Sequence, residues 1–313
     1  MNQDTQTLLP TSAGIARAAA LLRAGALVAL PTETVYGLGA DARNGQAVAA
    51  IYEAKGRPSF NPLIVHLPDI AAAQRHVVWS DTADRLADIF WPGALTLVLP
   101  LREGHGLSSL VTAGLPSLAI RLPAHPTAQA LLRAFDGPIA APSANPSGKI
   151  SATSAAHVLA ALSGRIAAVL DDGPCTVGLE STIIGLTDDA PSLLRAGGLP
   201  QEAIEAALGH PLKTISGHDI IAPGQLASHY APGAAVRLNA QKAEPGEVLL
   251  GFGHMDCDLN LSASGDLVEA AANLFDHLHR LDATGRPIAV APIPDHGLGR
   301  AINDRLTRAA APR

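Results

Sequence analysis

Apolar residues in the first two thirds of the chain recur with two alternating spacings. Residues 12–24 show helical spacing behind Ser12, a candidate N-cap, whereas residues 26–30 form an apolar run closed by Pro31, as in a buried strand. The same alternation predicts further helices at 46–54, 81–89, 127–134 and 153–162, and further strands at 63–67, 95–99, 118–122, 139–141 and 167–170. This pattern predicts an α/β domain whose helices pack on a largely buried sheet.

Near residue 209 the periodicity stops. Residues 209–233 contain three prolines and four glycines, and the segment is longer than an ordinary connection. Beyond it a compact βαβα unit is predicted from a strand at 246–252, a helix at 267–281, a strand at 288–291 and a helix at 299–310. We therefore expect a larger α/β domain at 1–208, a linker or lid at 209–240 and a small α/β domain at 241–313.

The composition disfavours some classes of function but does not identify one. Hydrophobic residues make up 48% of the chain and charged residues 16%, which is an ordinary globular balance. The formal net charge is −6 and only four lysines occur, so a general nucleic-acid binder with a basic stripe is disfavoured. Two cysteines cannot by themselves form a disulfide framework or a zinc site. The apolar stretch at 18–30 is interrupted and too short to span a bilayer, so we expect a soluble, cytoplasmic protein.

Four polar motifs fall at the ends of predicted strands, where open α/β sheets bind ligands. The first is Pro-Thr-Glu-Thr-Val-Tyr-Gly-Leu-Gly at residues 31–39. Proline stops the strand, the threonines offer hydroxyls, and the glycines let the backbone turn close to a ligand. The alternative is a capped turn that only leads into the next element, and the motif alone does not decide between the two.

The second motif is Lys-Gly-Arg-Pro at 55–58, continued by Asn-Pro-Leu-Ile-Val-His at 61–66. Two cations in three residues, held by Gly and Pro after a helix, suit a polyphosphate: Arg57 by bidentate contacts and Lys55 as a point charge. The alternative is that both cations only face the negative end of the helix dipole. His66, at a strand end, is a candidate substrate contact or a structural histidine.

The third motif is Ala-Pro-Ser-Ala-Asn-Pro-Ser-Gly-Lys at 141–149. It has a superficial likeness to a P-loop, but Ser143 occupies the first glycine position and Ile150 follows the lysine. A P-loop requires Ser or Thr at that last position to hold magnesium, so this motif is not one. Its small hydroxyl residues and turn formers instead indicate an anion-binding nest.

The fourth motif is Gly-Leu-Glu-Ser-Thr-Ile-Ile at 178–184, followed by Arg195 after the next strand. Upstream, Ser117 and Arg121 flank another strand, and Arg121 is a candidate partner for a carboxylate. The sequence shows no Ser-His-Asp order, no paired catalytic carboxylates and no metal-ligand spacing. The residues by themselves therefore favour neither a protein nucleophile nor a metal centre.

The linker segment ends in His-Tyr-Ala-Pro at 229–232. Tyr230 brings a rigid ring and a hydroxyl, which suit it to cover a bound nucleotide and exclude water, so we predict that the segment is an ordered lid. The alternative is that Tyr230 only packs between the two domains.

Taken together and in this order, the four motifs resemble the YrdC-like family, and the match covers about residues 12–208. The stretch at 223–232 and the segments Gly-Leu-Gly at 297–299 and Asn-Asp-Arg-Leu at 303–306 resemble the long form with an extra C-terminal domain. The resemblance implies a twisted open mixed sheet flanked by helices, followed by a small Rossmann-like α/β domain. It also implies a nucleotidyltransferase that makes threonylcarbamoyl-AMP from L-threonine, bicarbonate or CO2, and ATP, with release of pyrophosphate. That reaction is the first step of the threonylcarbamoyladenosine (t6A) modification of tRNA.

The resemblance also assigns residues, each carried over from a matching motif position. The set around the reacting groups comprises Lys55, Arg57, Ser143 and Asn145. The ATP contacts comprise Arg57, Asn61, Ser117, Ser143, Ser151, Arg195 and Tyr230. The L-threonine contacts comprise Thr34, His66, Arg121, Ala141 (through its backbone) and Ser181. Mg²⁺ is expected to bridge the phosphates of ATP with no dedicated protein ligands, and the product is expected to pass to the downstream tRNA threonylcarbamoyl-transfer machinery.

Two other functions fit parts of the sequence. A carbamoyltransferase-like maturation protein can carry the same domain, but it normally adds acylphosphatase and zinc-finger segments, for which this chain lacks the length and the cysteines. An RNA-binding module could use a concave sheet surface, but the net charge of −6 disfavours it.

Overall fold

The structure is a computed structural model that describes residues 4–214 and 229–312. Its larger part is built on one mixed sheet with the strand order β1-β8-β2-β3-β7-β4-β6-β5-β9-β10-β11. The strands are β1 (Gln6–Leu8), β2 (Val28–Leu30), β3 (Gly37–Asp41), β4 (Ile64–His66), β5 (Leu95–Pro100), β6 (Ser117–Arg121), β7 (Ile139–Ala140), β8 (Ala168–Leu170), β9 (Thr182–Gly185), β10 (Ser192–Arg195) and β11 (Lys213–Thr214). The helices are α1 (Ser12–Arg23), α2 (Gly45–Lys55), α3 (Ile70–Gln74), α4 (Asp81–Phe90), α5 (Ser109–Thr112), α6 (Pro126–Phe135), α7 (Ala155–Leu162) and α8 (Gln201–Leu208).

The smaller part is a parallel sheet with two helices. Its strands β12 (Val236–Arg237), β13 (Val248–Gly251), β14 (Leu259–Asn260) and β15 (Ile288–Val290) lie in the order β12-β15-β13-β14. Its helices are α9 (Leu267–Asp282) and α10 (Leu298–Ala309). A mixed sheet with flanking helices plus a small parallel α/β unit is the predicted fold class, which is thereby confirmed.

Local sequence explains where the main elements begin and end. Thr11, not the predicted Ser12, caps α1 by accepting a hydrogen bond from the Gly14 amide at 3.2 Å. The α2 helix ends at Gly56, whose backbone is left-handed with φ of 58°, a conformation that glycine adopts without a steric penalty. The strand β3 was not predicted, because its residues lack the usual strand pattern. Hydrogen bonds with β2 and β7 on either side hold it in the sheet.

The two faces of the large sheet are covered differently. On one face a continuous core includes Ala29, Val65 and Leu97. On the other face α1 and α6 cover the half of the sheet around β2, where Val28 and Leu30 pack. The half around β4, β5 and β6 carries on that same face only a small apolar cluster of Ile64, Val98, Ala119, Ile183 and Leu194. The functional residues described below lie beside this cluster.

The two parts meet in a shared apolar core. Val35, Ile150, Leu179 and Tyr230 pack in the same cluster as residues of α9 and α10, including Phe275. Gly178 allows the close approach, because a Cβ built on it would lie 2.4 Å from the carbonyl oxygen of Ala271.

Two strands of the structure lie within the segment 209–240 that was predicted as a linker or lid. The large sheet extends to β11, beyond residue 208, and the small sheet begins with β12, before residue 241. Residues 215–228, which belong to the predicted lid, lie outside the described residues. No helix in the described part of the chain combines the length and the apolar character needed to cross a membrane.

Candidate active site

A cavity on the open face of the large sheet gathers residues from all four motifs. The predicted site residues that line it are Thr34, Arg57, His66, Arg121, Ala141, Ser143, Ser181, Arg195 and Tyr230. The further residues that line it are Thr32, Val35, Gly37, Ile64, Pro142, Glu180 and His229. All five residues predicted to hold threonine therefore line one cavity.

Sheet register explains why distant motifs meet here. His66 of β4 pairs with Arg121 of β6, so both side chains project from the same face. The third motif is joined to the first by a bridge between Gly37 and Ser143, and to β4 by a hydrogen bond from the Ala141 amide to the Ile64 carbonyl at 2.9 Å. The backbone thus fixes the relative positions of the first three motifs.

Arg121 ties the first motif to the sheet. Its Nη1 donates to Thr34 Oγ1 at 2.7 Å, its Nη2 lies 2.7 Å from Glu33 Oε1, and its Nε donates to the Gly93 carbonyl at 3.1 Å. Burial would raise the pKa of Glu33, but the Arg121 guanidinium and backbone hydrogen bonds together hold that pKa below its usual value. Three groups therefore orient Arg121 before any ligand arrives.

Arg195 and Ser181 form a second oriented pair. Arg195 donates to the Ser181 carbonyl through Nε at 3.1 Å and through Nη2 at 2.8 Å, and Nη2 also lies 3.2 Å from Ser181 Oγ. Ser181 Oγ lies 2.7 Å from Thr96 Oγ1, a contact that sequence reasoning did not foresee.

The two cations of the second motif have different roles in the structure. Lys55 is buried below the cavity, where its Nζ donates to the carbonyls of Ser143 (2.6 Å) and Asn145. Arg57 does line the cavity, but it also donates to the carbonyls of Asn61 (3.3 Å) and Pro62 (2.9 Å). Burial lowers the pKa of Arg57 to about 10, so it stays charged at neutral pH. Lys55 therefore contacts the backbone of the third motif, and of the two cations only Arg57 lines the cavity.

Five predicted residues lie outside the cavity lining: Lys55, Asn61, Ser117, Asn145 and Ser151. The Asn145 amide group holds its own turn by donating to the carbonyls of Pro146 and Lys149, each at 2.9 Å. Asn61 is fully buried, and its side-chain atoms make no hydrogen bond with the described residues. Ser117 begins β6, four residues before Arg121 at the other end of that strand. Whether these five contact substrate stays a prediction.

Sequence reasoning missed an ion pair that links the two domains at the cavity wall. Arg305 of α10 is fully buried, and its Nε donates to Glu180 Oε2 at 2.8 Å. Ser151 Oγ donates to the other carboxylate oxygen at 2.5 Å. Burial would raise the pKa of Glu180, but Arg305 and Arg195 hold it below its usual value. Both residues stand in motifs that the sequence marks, yet no spacing rule joins them.

Tyr230 lines the cavity and also packs between the two domains. It is 1% exposed, its ring centroid lies 5.7 Å from that of Phe275, and the Arg305 guanidinium lies 4.9 Å from the ring. His229 packs against the same ring at 4.0 Å. The packing between the domains is therefore observed, whereas the role of Tyr230 as a cover over a bound nucleotide stays a prediction.

The cavity is small in this arrangement. It encloses about 40 Å³, room for a few water molecules and far less than a site for a nucleotide needs. His229 and Tyr230 both form part of the wall of this small cavity.

The histidines of the site are neutral. Burial, followed by the nearby Arg121, lowers the pKa of His66 to about 3. Burial lowers the pKa of His229 to about 3 as well. A neutral imidazole offers one donor and one acceptor, so these side chains are hydrogen-bonding groups rather than cations.

The donors of the cavity do not suit a resident metal ion. Within residues 4–214 and 229–312, no group of three or more His, Cys, Asp or Glu side chains is placed to hold one. Glu180, which lines the cavity, and Glu33, which is bonded to the lining residues Thr32 and Thr34 in the chain, each face an arginine instead.

Two protein-family models match this chain. The Sua5/YciO/YrdC family model, described as "Telomere recombination", matches residues 20–197, and the model for the "Threonylcarbamoyl-AMP synthase, C-terminal domain" matches residues 199–311. The chain therefore belongs to the Sua5/YciO/YrdC family and carries both domains of its long form.

Named relatives extend the match over almost the whole chain. The chain is 44% identical to threonylcarbamoyl-AMP synthase of Bacillus subtilis over 334 residues, covering 99% of this chain and 96% of that protein. It is 42% identical to threonylcarbamoyl-AMP synthase of Pyrococcus abyssi over 323 residues, covering 95% and 94%. The structure matches P. abyssi Sua5 complexed with L-threonine with a TM-score of 0.90 at 38% identity, covering 98% of this chain and 97% of that one.

Proposed function

We propose that this chain is an L-threonylcarbamoyladenylate synthase, which makes threonylcarbamoyl-AMP and pyrophosphate from L-threonine, bicarbonate or CO2, and ATP. The observation that carries the proposal is the single cavity that collects all five residues expected to hold threonine, together with Arg57, Ser143, Arg195 and Tyr230 from the ATP set. The near full-length relatives of this name support it.

The chemistry needs two bond-forming steps. The threonine amine attacks the carbon of CO2 and loses a proton, which gives an N-carboxylate. An oxygen of that carboxylate then attacks the α-phosphorus of ATP, and the bond from the α-phosphorus to the bridging oxygen breaks so that pyrophosphate leaves. Neither step needs a protein nucleophile, so the protein's task is to align the groups and neutralise charge.

The cavity supplies groups for that task. We assign the threonine side to Thr34, His66, Arg121, Ala141 and Ser181, and the ATP side to Arg57, Asn61, Ser117, Ser143, Ser151, Arg195 and Tyr230. Arg57 and Arg195 add positive charge next to the phosphates, and the pre-oriented Arg121 suits the amino-acid carboxylate. Lys55 and Asn145, whose contacts hold the turn of the third motif, act on the reaction by shaping that turn.

Mg²⁺ enters this proposal together with ATP. Because the cavity carboxylates are already paired with arginines, we place the ion on the phosphate oxygens, without dedicated protein ligands. When bound there it would neutralise charge on the leaving pyrophosphate.

The product determines what must follow. A threonylcarbamoyl adenylate is a mixed anhydride that water hydrolyses, so a closed site and prompt transfer both preserve it. We propose that it passes, in the cytoplasm, to the downstream tRNA threonylcarbamoyl-transfer machinery. With a net charge of −6 the chain itself should bind tRNA weakly, which filter binding across a salt series would measure.

The decisive experiment is threonine-dependent pyrophosphate release. With ATP, Mg²⁺ and bicarbonate, pyrophosphate should appear only when L-threonine is added. L-serine should react about 10-fold or more slowly, since it lacks a methyl group that the cavity would bury. Equal release with no amino acid would refute the proposal.

A further inference from the structure

Thr96 is a buried polar residue that lies beside the cavity but does not line it. It is the second residue of β5, is 0% exposed, and pairs in register with Arg121 of β6 and Ile183 of β9. It belongs to none of the four motifs. A polar side chain in an otherwise apolar strand is costly to bury unless a specific partner holds it.

That partner is Ser181, whose Oγ lies 2.7 Å from Thr96 Oγ1. Each hydroxyl has one proton and can accept two hydrogen bonds. Ser181 Oγ already accepts from Arg195 Nη2 at 3.2 Å, because a guanidinium can only donate. The remaining question is which of the two hydroxyls donates to the other.

Counting the donors and acceptors available to the two hydroxyls identifies which one donates. If Ser181 donated to Thr96, the Thr96 proton would be buried without an acceptor, since the described residues record no other partner for this hydroxyl. If Thr96 donates, its proton is satisfied and the two acceptor positions of Ser181 are filled by Thr96 and Arg195. The Ser181 proton is then left for whatever occupies the cavity that Ser181 lines.

We propose that Thr96 is a positioning residue that fixes the Ser181 hydroxyl as a hydrogen-bond donor toward an anionic oxygen of the amino acid bound in the cavity. The inference rests on the proposed function, because it requires that the occupant is an amino acid. It adds a specificity element from outside the motifs: without Thr96, Ser181 could turn its proton away and present only a lone pair to a carboxylate.

The test replaces the hydroxyl by a methyl group of the same shape. Thr96→Val should weaken L-threonine binding, measured by calorimetry, by about tenfold, the scale of one hydrogen bond to a charged group. The KM for threonine should rise in parallel, with kcat within about twofold of wild type and the KM for ATP unchanged. Thr96→Ser, which keeps the hydroxyl, should bind threonine like the wild type.

Two controls separate positioning from general stability. Thr112→Val makes the same substitution at another buried threonine, in α5 and outside the cavity lining, and should leave threonine binding unchanged. In a Ser181→Ala background, Thr96→Val should have less than a twofold effect, because the hydroxyl that it orients is gone. This second arm needs only a comparison between two variants, so it remains valid if both are less stable than the wild type.

The outcomes distinguish a failure of this inference from a failure of the proposed function. Wild-type affinity in Thr96→Val, or an equal effect of Thr96→Val with and without Ser181, overturns the inference while leaving the proposed function standing. A wild-type protein that binds no L-threonine overturns both.

Discussion

At the scale of single residues, the buried histidines His66 and His229 make the stability of the protein depend on pH. Each has a pKa of about 3 in the folded protein against about 6.5 in the unfolded chain, because burial disfavours the charged ring. Between these values the unfolded chain binds more protons, so stability falls as pH falls. A histidine whose pKa is raised by a neighbouring carboxylate has the opposite effect, because it adds stability as the pH falls.

We therefore expect the free energy of unfolding to fall as the pH drops below 6.5, with a slope that approaches about 1.4 kcal/mol per pH unit for each such histidine near pH 5. His66→Gln should reduce that slope by one histidine's share, measured from urea midpoints at several pH values. The exposed His254→Gln is the matched control and should leave the slope unchanged. Parallel curves for wild type and His66→Gln would contradict the assignment.

Arg57 is the cation of the second motif that reaches the cavity. Arg57→Ala should lower kcat/KM for ATP by 10-fold or more, since a hydrogen bond to a charged group contributes about 1.5–3 kcal/mol. Because the same guanidinium donates to the Asn61 and Pro62 carbonyls, a fall in Tm should accompany the loss of activity. Pyrophosphate release and thermal melting measure the two effects, and wild-type turnover would remove Arg57 from the site.

At the scale of elements, Lys55 shows how one helix end builds a binding turn. The αL conformation of Gly56 ends α2, and Lys55 beneath it donates to two carbonyls of the turn at 143–145. The chain thus uses a buried cation to hold the backbone of an anion-binding motif. Burial, followed by the nearby Arg57, lowers the pKa of Lys55 well below its ordinary value.

Lys55→Met should therefore act first on stability. We expect a loss of about 1–3 kcal/mol, because two buried carbonyls lose their donor. The exposed Lys213→Met is the matched control and should change stability by less than about 0.5 kcal/mol. Denaturant unfolding measures both, and equal stability of the two variants would show that Lys55 does not hold the turn.

For the whole molecule, the Glu180–Arg305 pair makes the small domain part of the active site. Arg305→Met should destabilise the protein by about 3–5 kcal/mol, because Glu180 would remain buried without its main counter-charge. It should also slow pyrophosphate release, since the same guanidinium packs on the ring of Tyr230.

Adding Glu180→Gln to Arg305→Met should restore much of the stability, because the uncompensated charge is removed. Partial recovery of the urea midpoint without recovery of activity is the expected pattern. A double variant as unstable as Arg305→Met would show that the pair contributes mainly through packing rather than charge.

The sequence by itself determined the two α/β units, most helices and strands, and the family. Periodic apolar positions, capping residues and strand-ending prolines are local features, so residues such as Pro31 and Gly56 specify their elements through near neighbours. The motifs likewise marked the nine predicted residues that line the cavity. The sequence did not reveal β3, whose residues are held in a strand by their partners rather than by their own preference.

Only the tertiary structure decided which polar groups meet. Thr96 and Ser181 are 85 residues apart and Arg305 and Glu180 are 125 apart, distances over which no spacing rule operates. The structure likewise separated Lys55 from Arg57, two cations that look equivalent in the motif. The physical reason is that a buried polar group must find its partner among the donors and acceptors that folding brings near it, and that set is fixed by sheet register and domain packing.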